Sequence, residues 1–181
     1  MPESRSSQPP FTIRPAKPDD VRELLGMIRE LAEFEQLEHL LKASESDLHA
    51  ALFAKQGGPE ALVAQRNFAD DGGADQLIGY AIYFENFSSF LCRRGIYLED
   101  IYVRPTFRRQ GVGKAFLKGL ADVAIERSSG RMEWVVLDWN QNAINAYRAI
   151  GGEVLPDWRV VRLGEEAIRN LADGSLNHRQ E

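Results

Sequence analysis

Cysteine is almost missing: Cys92 stands alone, so this chain can build neither an intrachain disulfide nor a thiolate zinc site. His39, His49 and His178 are the three histidines, they share no metal-ligand spacing, and no metal is expected. No apolar run approaches the roughly 20 residues of a membrane helix, so no membrane partner is expected. Positive charge is in deficit as well, with 22 Lys and Arg against 27 Asp and Glu and a formal net charge of −5. That balance argues against a general nucleic-acid surface and suits a small cationic ligand. Residues 1–10 are Ser- and Pro-rich without an apolar stretch; they read as a loose tail, not a signal peptide, and a cytoplasmic protein is expected.

What is present is ordinary globular material: 181 residues, 44% apolar and 27% charged, enough for one compact domain over residues 11–172 followed by a short tail, 173–181. Phe11 to Arg14 alternates like a strand, and Asp19 stands where it can cap a helix with Val21, Leu24, Leu25, Ile28, Leu31 and Phe34 at helical spacing. A second helix starts at Ser44 or Ser46 and stops at Gly57-Gly58-Pro59. Strands are predicted over Ala61–Gln65 and Leu77–Phe84, joined by a hairpin-type loop at Asp70–Gly73. A polar excursion, Glu85–Gly95, leads to the strand Ile96–Val103. A helix follows Gly111 and finishes near Ser128–Gly130. The run Trp134–Leu137 reads as a strand covered on both faces, Asn142–Ile150 as a helix, Trp158–Leu163 as a last strand and Glu165–Leu171 as a last helix. The order implies an α/β or α+β fold around a mixed sheet.

Between the strand ending at Val103 and the helix after it lies Arg108-Arg109-Gln110-Gly111-Val112-Gly113. A helix N-terminus presents unpaired N–H groups and the positive end of its dipole, which together bind phosphate oxygens. Glycines at 111 and 113 remove the Cβ atoms that would hold a ligand off those donors, and Arg108, Arg109 and Lys114 add cationic partners. The bland alternative is a solvated basic turn. A dinucleotide loop is excluded by Phe116 where a third small residue is needed, and a P-loop by Arg108 and Ala115.

Four blocks in order resemble the GNAT acetyltransferases, and within them the diamine acetyltransferases with their thialysine-acetylating relatives. The blocks are Arg29–Glu35, Ile96–Val103, the loop 108–113, and Val136–Gln141 followed by Tyr147. The likeness runs from about Phe11 to about Ala172. It implies a splayed mixed sheet of six to seven strands flanked by helices, with acetyl-CoA as co-substrate. The pantetheine arm would pair with the backbone of Ile101, Tyr102 and Val103, and the pyrophosphate would sit on Arg108, Arg109, Gln110, Gly111, Val112, Gly113 and Lys114. Asn140 would also touch the cofactor, and a homodimer is implied. This chain departs from relatives at Arg109, where they carry Gly, and at Pro156-Asp157, where a substrate-contacting Glu is expected.

Acetyl transfer to an amine has two proton problems. An alkylamine of pKa ~10.4 is neutral in roughly one molecule per few thousand at pH 7, a cost of about 4–5 kcal/mol. Glu99 is the candidate base with Asp100 beside it, and strand alternation lets only one of the two face the site; surface carboxylates are the alternative. The departing thiolate needs a proton donor, and Tyr147 matches the family's acid, although a mid-helix Tyr is otherwise a packing residue. Phe34 and Glu35 match the relatives' amine-contacting pair, against the alternative of an amphipathic helix end. Trp158 either walls the acceptor site or fills the core. An acyl-enzyme is disfavoured: Cys92 has no His near it in sequence, and no Gly-x-Ser-x-Gly elbow exists.

The leading expectation is an acetyl-CoA-dependent transferase acting on a primary amine of a polyamine or a lysine-like molecule such as thialysine. A protein amine or an aminoglycoside is the second reading, and a non-catalytic acyl-CoA sensor the third. Glu99 and Tyr147 argue against the sensor, which needs no proton donor at the thiolate.

Overall fold

The computed structural model describes residues 10–53, 57–67 and 76–175. The expected loop at Asp70–Gly73 and most of both expected tails lie outside them. The chain divides into two compact units, Met1–Val135 and Val136–Glu181.

The first unit holds a five-stranded sheet in chain order: β1 (Phe11–Pro15), β2 (Glu60–Arg66), β3 (Leu77–Ser88), β4 (Arg93–Val103) and β5 (Met132–Glu133). The first four strands run antiparallel, and β5 lies parallel to β4, so the sheet is mixed. Two helices, α1 (Val21–Glu35) and α2 (Glu45–Phe53), cover one face. There Leu24, Leu25, Met27 and Leu48 pack on Val63, Tyr80, Ile82 and Tyr102. The crossover helix α3 (Val112–Glu126) covers the other, burying Val112, Phe116, Leu120 and Ala124 against Leu62, Ile78, Ile96 and Leu98. Helical spacing assigns Leu24, Leu25, Val112, Phe116, Leu120 and Ala124 to the core; Met27, which it did not single out, is fully buried, and Phe34, which it did, is half exposed.

Local chemistry sets the ends. Asp20, not Asp19, precedes α1; its carboxylate takes the Lys17 N–H at 2.7 Å and the Arg14 guanidinium at 2.6 Å, tying β1 to the helix start. Ser44 caps α2 reciprocally: Asp47 N–H donates to Ser44 Oγ at 3.2 Å, and Ser44 N–H donates to Asp47 Oδ2 at 2.9 Å. Arg104, just beyond β4, donates to Glu23 at 3.0 Å, to Glu30 at 3.2 Å and to the Leu77 carbonyl at 2.8 Å, which fastens α1 over β3 and β4.

Three sequence expectations are corrected. The polar excursion Glu85–Gly95 is mostly hairpin: β3 continues to Ser88 and β4 begins at Arg93, held by cross-strand pairs including Phe84–Tyr97 and Glu85–Arg94. Trp134–Leu137 is no strand, because β5 pairs with β4 only at Ile96–Met132 and Tyr97–Glu133 and the ladder then stops. Trp158–Leu163 has no ladder partner among the described residues, so the strands number five, not six or seven.

The second unit carries α4 (Gln141–Ala149) and α5 (Glu165–Ala172). Asn140 caps α4, accepting from the Ala143 N–H at 3.2 Å. At its other end Gly152 N–H donates to the Tyr147 carbonyl at 2.9 Å and Gly151 N–H to that of Arg148 at 3.0 Å. Gly151 takes φ +90° there, a conformation that glycine adopts without strain.

Candidate active site

The site starts from an irregularity in β4. Ile82 pairs with Asp100 but Tyr83 pairs with Leu98, so Glu99 is an extra residue opposite no partner: a β-bulge. Bulges re-aim side chains, and this one breaks the alternation assumed from sequence. Asp100 lies opposite Ile82, which packs under α1 and α2, and Glu99 lines a cleft of about 390 Å³ with Pro59, Ile82, Phe84 and Glu85. Both carboxylates therefore face the α1 and α2 side. The expectation that only one could do so is overturned.

Glu35 joins them from above. Gln36 adopts a left-handed φ of 60°, ending α1 so that Glu35 is its last residue. Burial lifts the Glu35 carboxyl above its ordinary range. Asp100 is moved further: burial first, then the charges of Glu99 and Glu35, push it up to about 6. None of the three carboxylates has a hydrogen bond or ion pair among the described residues. Such a cluster is poised to accept an ammonium group.

Phe34 is half exposed, and the Arg108 guanidinium lies 5.0 Å from its ring centre and 5.7 Å from that of Tyr102. Arg108 Nε donates to the Val103 carbonyl at 2.9 Å. Arg104 N–H donates to Ile78 across the β3 ladder, so by alternation Ile101 and Val103 turn their backbone groups to the opposite edge, while those of Tyr102 face β3. Beyond Tyr97, β5 does not occupy that edge. Of the expected pantetheine contacts, Ile101 and Val103 thus present backbone groups to an added strand; Tyr102 turns its own toward β3.

The loop has the expected donor set. Arg109 stands at φ 63° and Gly111 at φ 86°, so the chain turns sharply into α3 even with Arg where relatives have Gly. Gln110 is held by its side-chain donation to the Thr106 carbonyl at 3.0 Å. The first bond of the helix runs from Ala115 N–H to the Gly111 carbonyl at 2.9 Å, and Val112, Gly113 and Lys114 keep N–H groups without an acceptor among the described residues. Apart from adjoining backbone, no atom of the described residues lies within 4 Å of where a Cβ on Gly111 or Gly113 would stand. Open space, free donors and flanking cations fit a pyrophosphate.

Residues 24–151 match the acetyltransferase (GNAT) family. The chain belongs to the GNAT acetyltransferases. This acetyltransferase is 39% identical over 164 residues to the thialysine N-epsilon-acetyltransferase of Mus musculus, spanning 88% of this chain and 96% of that protein. It is 32% identical to the L-ornithine N5-acetyltransferase of Arabidopsis thaliana, spanning 88% of this chain and 86% of that one. In fold it matches an integron cassette protein from V. cholerae with a TM-score of 0.70 at 24% identity, over 90% of this chain and 98% of that chain. Acetyl-CoA is the co-substrate of the family.

The other expected site residues belong to the second unit. Tyr147 is partly buried on α4, Asn140 spends its Oδ1 on the cap, and Trp158 lies in the chain between α4 and α5. Sequence reasoning passed over one residue beside the carboxylates. Tyr80, in the middle of an apolar strand, is fully buried, and its hydroxyl has no hydrogen-bond partner among the described residues. Only the phenol itself, where Phe would fill the same space, signals anything in the sequence.

Proposed function

We propose that this acetyltransferase moves acetyl from acetyl-CoA to a primary amine of a small cationic acceptor, a polyamine or a lysine-like amino acid, by direct attack in a ternary complex. The observation that carries the reading is the bulge at Glu99, which puts two adjacent carboxylates on one face beside Glu35 with no cation bonded to any of them. Relatives named for thialysine and for ornithine support the same acceptor class, since each of those molecules ends in a side-chain amine.

Bound acetyl-CoA supplies the thioester, with the backbone of Ile101 and Val103, residues 108–114 and Asn140 as its contacts. Asp100 and Glu35 hold the acceptor's charge, with Phe34 and Trp158 as apolar walls. Glu99 takes the proton from the ammonium, directly or through water. The freed amine nitrogen attacks the carbonyl carbon, the N–C bond forms and the C–S bond breaks. Tyr147 gives its proton to the departing sulfur, and the second proton that the nitrogen then sheds passes through water to restore the Tyr147 hydroxyl. In the same proposal the enzyme works as a homodimer in the cytoplasm and needs no metal, nucleic acid or membrane; sedimentation at assay concentration checks the dimer.

The test is thiol release from acetyl-CoA with a panel of spermidine, a short diamine, ornithine, thialysine and an aminoglycoside. Release with the small amines and little with the aminoglycoside is expected. Tight acetyl-CoA binding without release by any amine would leave the sensor reading standing instead.

A further inference from the structure

Tyr80 offers a hydroxyl with nothing to bind in a region crowded with acids. It pairs with Tyr102 across the β3–β4 ladder, and Asp100 pairs with Ile82 two residues along. Tyr80 and Asp100 are therefore diagonal neighbours on one face, a separation that an aromatic side chain spans. The charges that act on the Tyr80 hydroxyl are Asp100 first, then Glu35, Tyr102 and Glu30, and with burial they hold its proton firmly in place. It is a donor, and the strongest acceptor near it lacks one.

The other groups around Asp100 do not fill that place. On β4, Glu99 is a like charge, and the Tyr102 hydroxyl already donates to Glu30 at 3.1 Å. From α1 come Glu35, a second like charge, and Glu30, which is committed to Tyr102 and Arg104. Arg104 is held by Glu23 and Glu30, and Arg108 lies over Phe34 and Tyr102. From α2, Leu48, Leu52 and Phe53 pack into this core, and the exposed His49 lies 5.5 Å from Phe53 between ring centres.

We propose that Tyr80 is a positioning residue of the acceptor site, its buried hydroxyl donating to the Asp100 carboxylate when that group is ionised to hold a cationic amine. The inference rests on the acceptor reading above. One carboxylate oxygen takes the phenolic O–H, which leaves the other turned toward the ammonium. A tyrosine kept only for packing would gain nothing from its hydroxyl, because an unsatisfied buried donor is a net cost. The two cases differ in what phenylalanine does.

Tyr80→Phe keeps the ring and its packing against Tyr102, 6.2 Å away between centroids. Three readouts are compared with wild type: the carbon-13 titration of the Asp100 carboxyl in the substrate-free chain, kcat/KM for spermidine against pH, and the melting temperature. The Asp100 midpoint is expected to rise, and the acid limb of kcat/KM to rise with it. A one-unit movement lowers kcat/KM about tenfold on that limb. The KM for acetyl-CoA stays put and the melting temperature does not fall. In an Asp100→Asn background the same change adds no further loss, since its effect runs through Asp100.

An unmoved titration with unchanged amine kinetics overturns the proposal and makes Tyr80 a packing residue. So does an undiminished loss in the Asp100→Asn background, or a lower melting temperature with equal losses for both substrates. The titration uses no substrate, so it separates the two readings. Absence of thiol release with every amine sinks the acceptor assignment, whereas an unmoved Asp100 midpoint sinks the role of Tyr80.

Discussion

Tyr147 is the residue proposed to protonate the departing thiolate, and its setting makes a clean substitution available. The residue is anchored through its backbone, whose carbonyl closes the end of α4 on Gly152, so loss of the hydroxyl leaves that turn intact. Tyr147→Phe is expected to fold, to bind acetyl-CoA as before, and to lose ~10²–10⁴-fold in kcat, the usual contribution of general acid–base assistance. The defect shrinks with an aryl thioester, whose better leaving group needs less protonation. Turnover within about threefold of wild type would place the acid elsewhere. Glu35 is tested on the binding side: Glu35→Gln removes one charge-assisted contact of roughly 1.5–3 kcal/mol, so KM for dicationic amines rises and that for acetyl-CoA does not. An unchanged amine KM would make Glu35 a helix-end surface residue.

The turn from β4 into α3 is the element proposed to hold the cofactor's pyrophosphate. Gly113 has open space where a side chain would stand, so Gly113→Val should fold and yet fill the volume meant for phosphate. Acetyl-CoA is expected to raise the melting temperature of wild type by mass action and to lose most of that effect in the variant. Undiminished stabilisation would remove the loop from the binding site. The conformation of this loop was legible in the sequence because glycine spacing reports the backbone directly. Helices α1 and α3 were legible from the period of their buried residues, Val21, Leu24 and Leu25 in one and Val112, Phe116 and Leu120 in the other. The bulge was not, since Leu98-Glu99-Asp100-Ile101 alternates no differently from a regular strand end, and the slip is visible only against the register of β3. With the bulge went the sidedness of Asp100 and the meaning of Tyr80. Trp134–Leu137 misled for a related reason: β propensity supplies the residues of a strand but not a neighbour to pair with.

For the whole molecule, the carboxylate cluster of Asp100, Glu99 and Glu35 is a cost to folding that depends on pH. Asp100 keeps its proton in the native state up to about pH 6, whereas the unfolded chain gives it up near 3.8. Between those values the native state binds the extra proton, so stability falls as pH rises, and the full penalty is present above about pH 6. A shift of about two units corresponds to roughly 3 kcal/mol. Asp20 and Glu60 act in the opposite sense. Burial raises Asp20, but bonds from Arg14 and Lys17 outweigh it; Arg127 lowers Glu60, so both support the fold above their unfolded values and lose that support in acid. Stability is therefore expected to peak at mildly acid pH. Removing the charge tests the account: Asp100→Asn should match wild type near pH 4 and exceed it near pH 8, by up to about 6–12 °C in melting temperature for a chain of this size. Spermidine should narrow that gap by neutralising the ionised carboxylate in wild type, while giving the Asp100→Asn variant little. Parallel melting curves for the two proteins from pH 4 to pH 8 would mean that Asp100 ionises in water-like surroundings, and the cluster would then hold no stored charge for an amine to relieve.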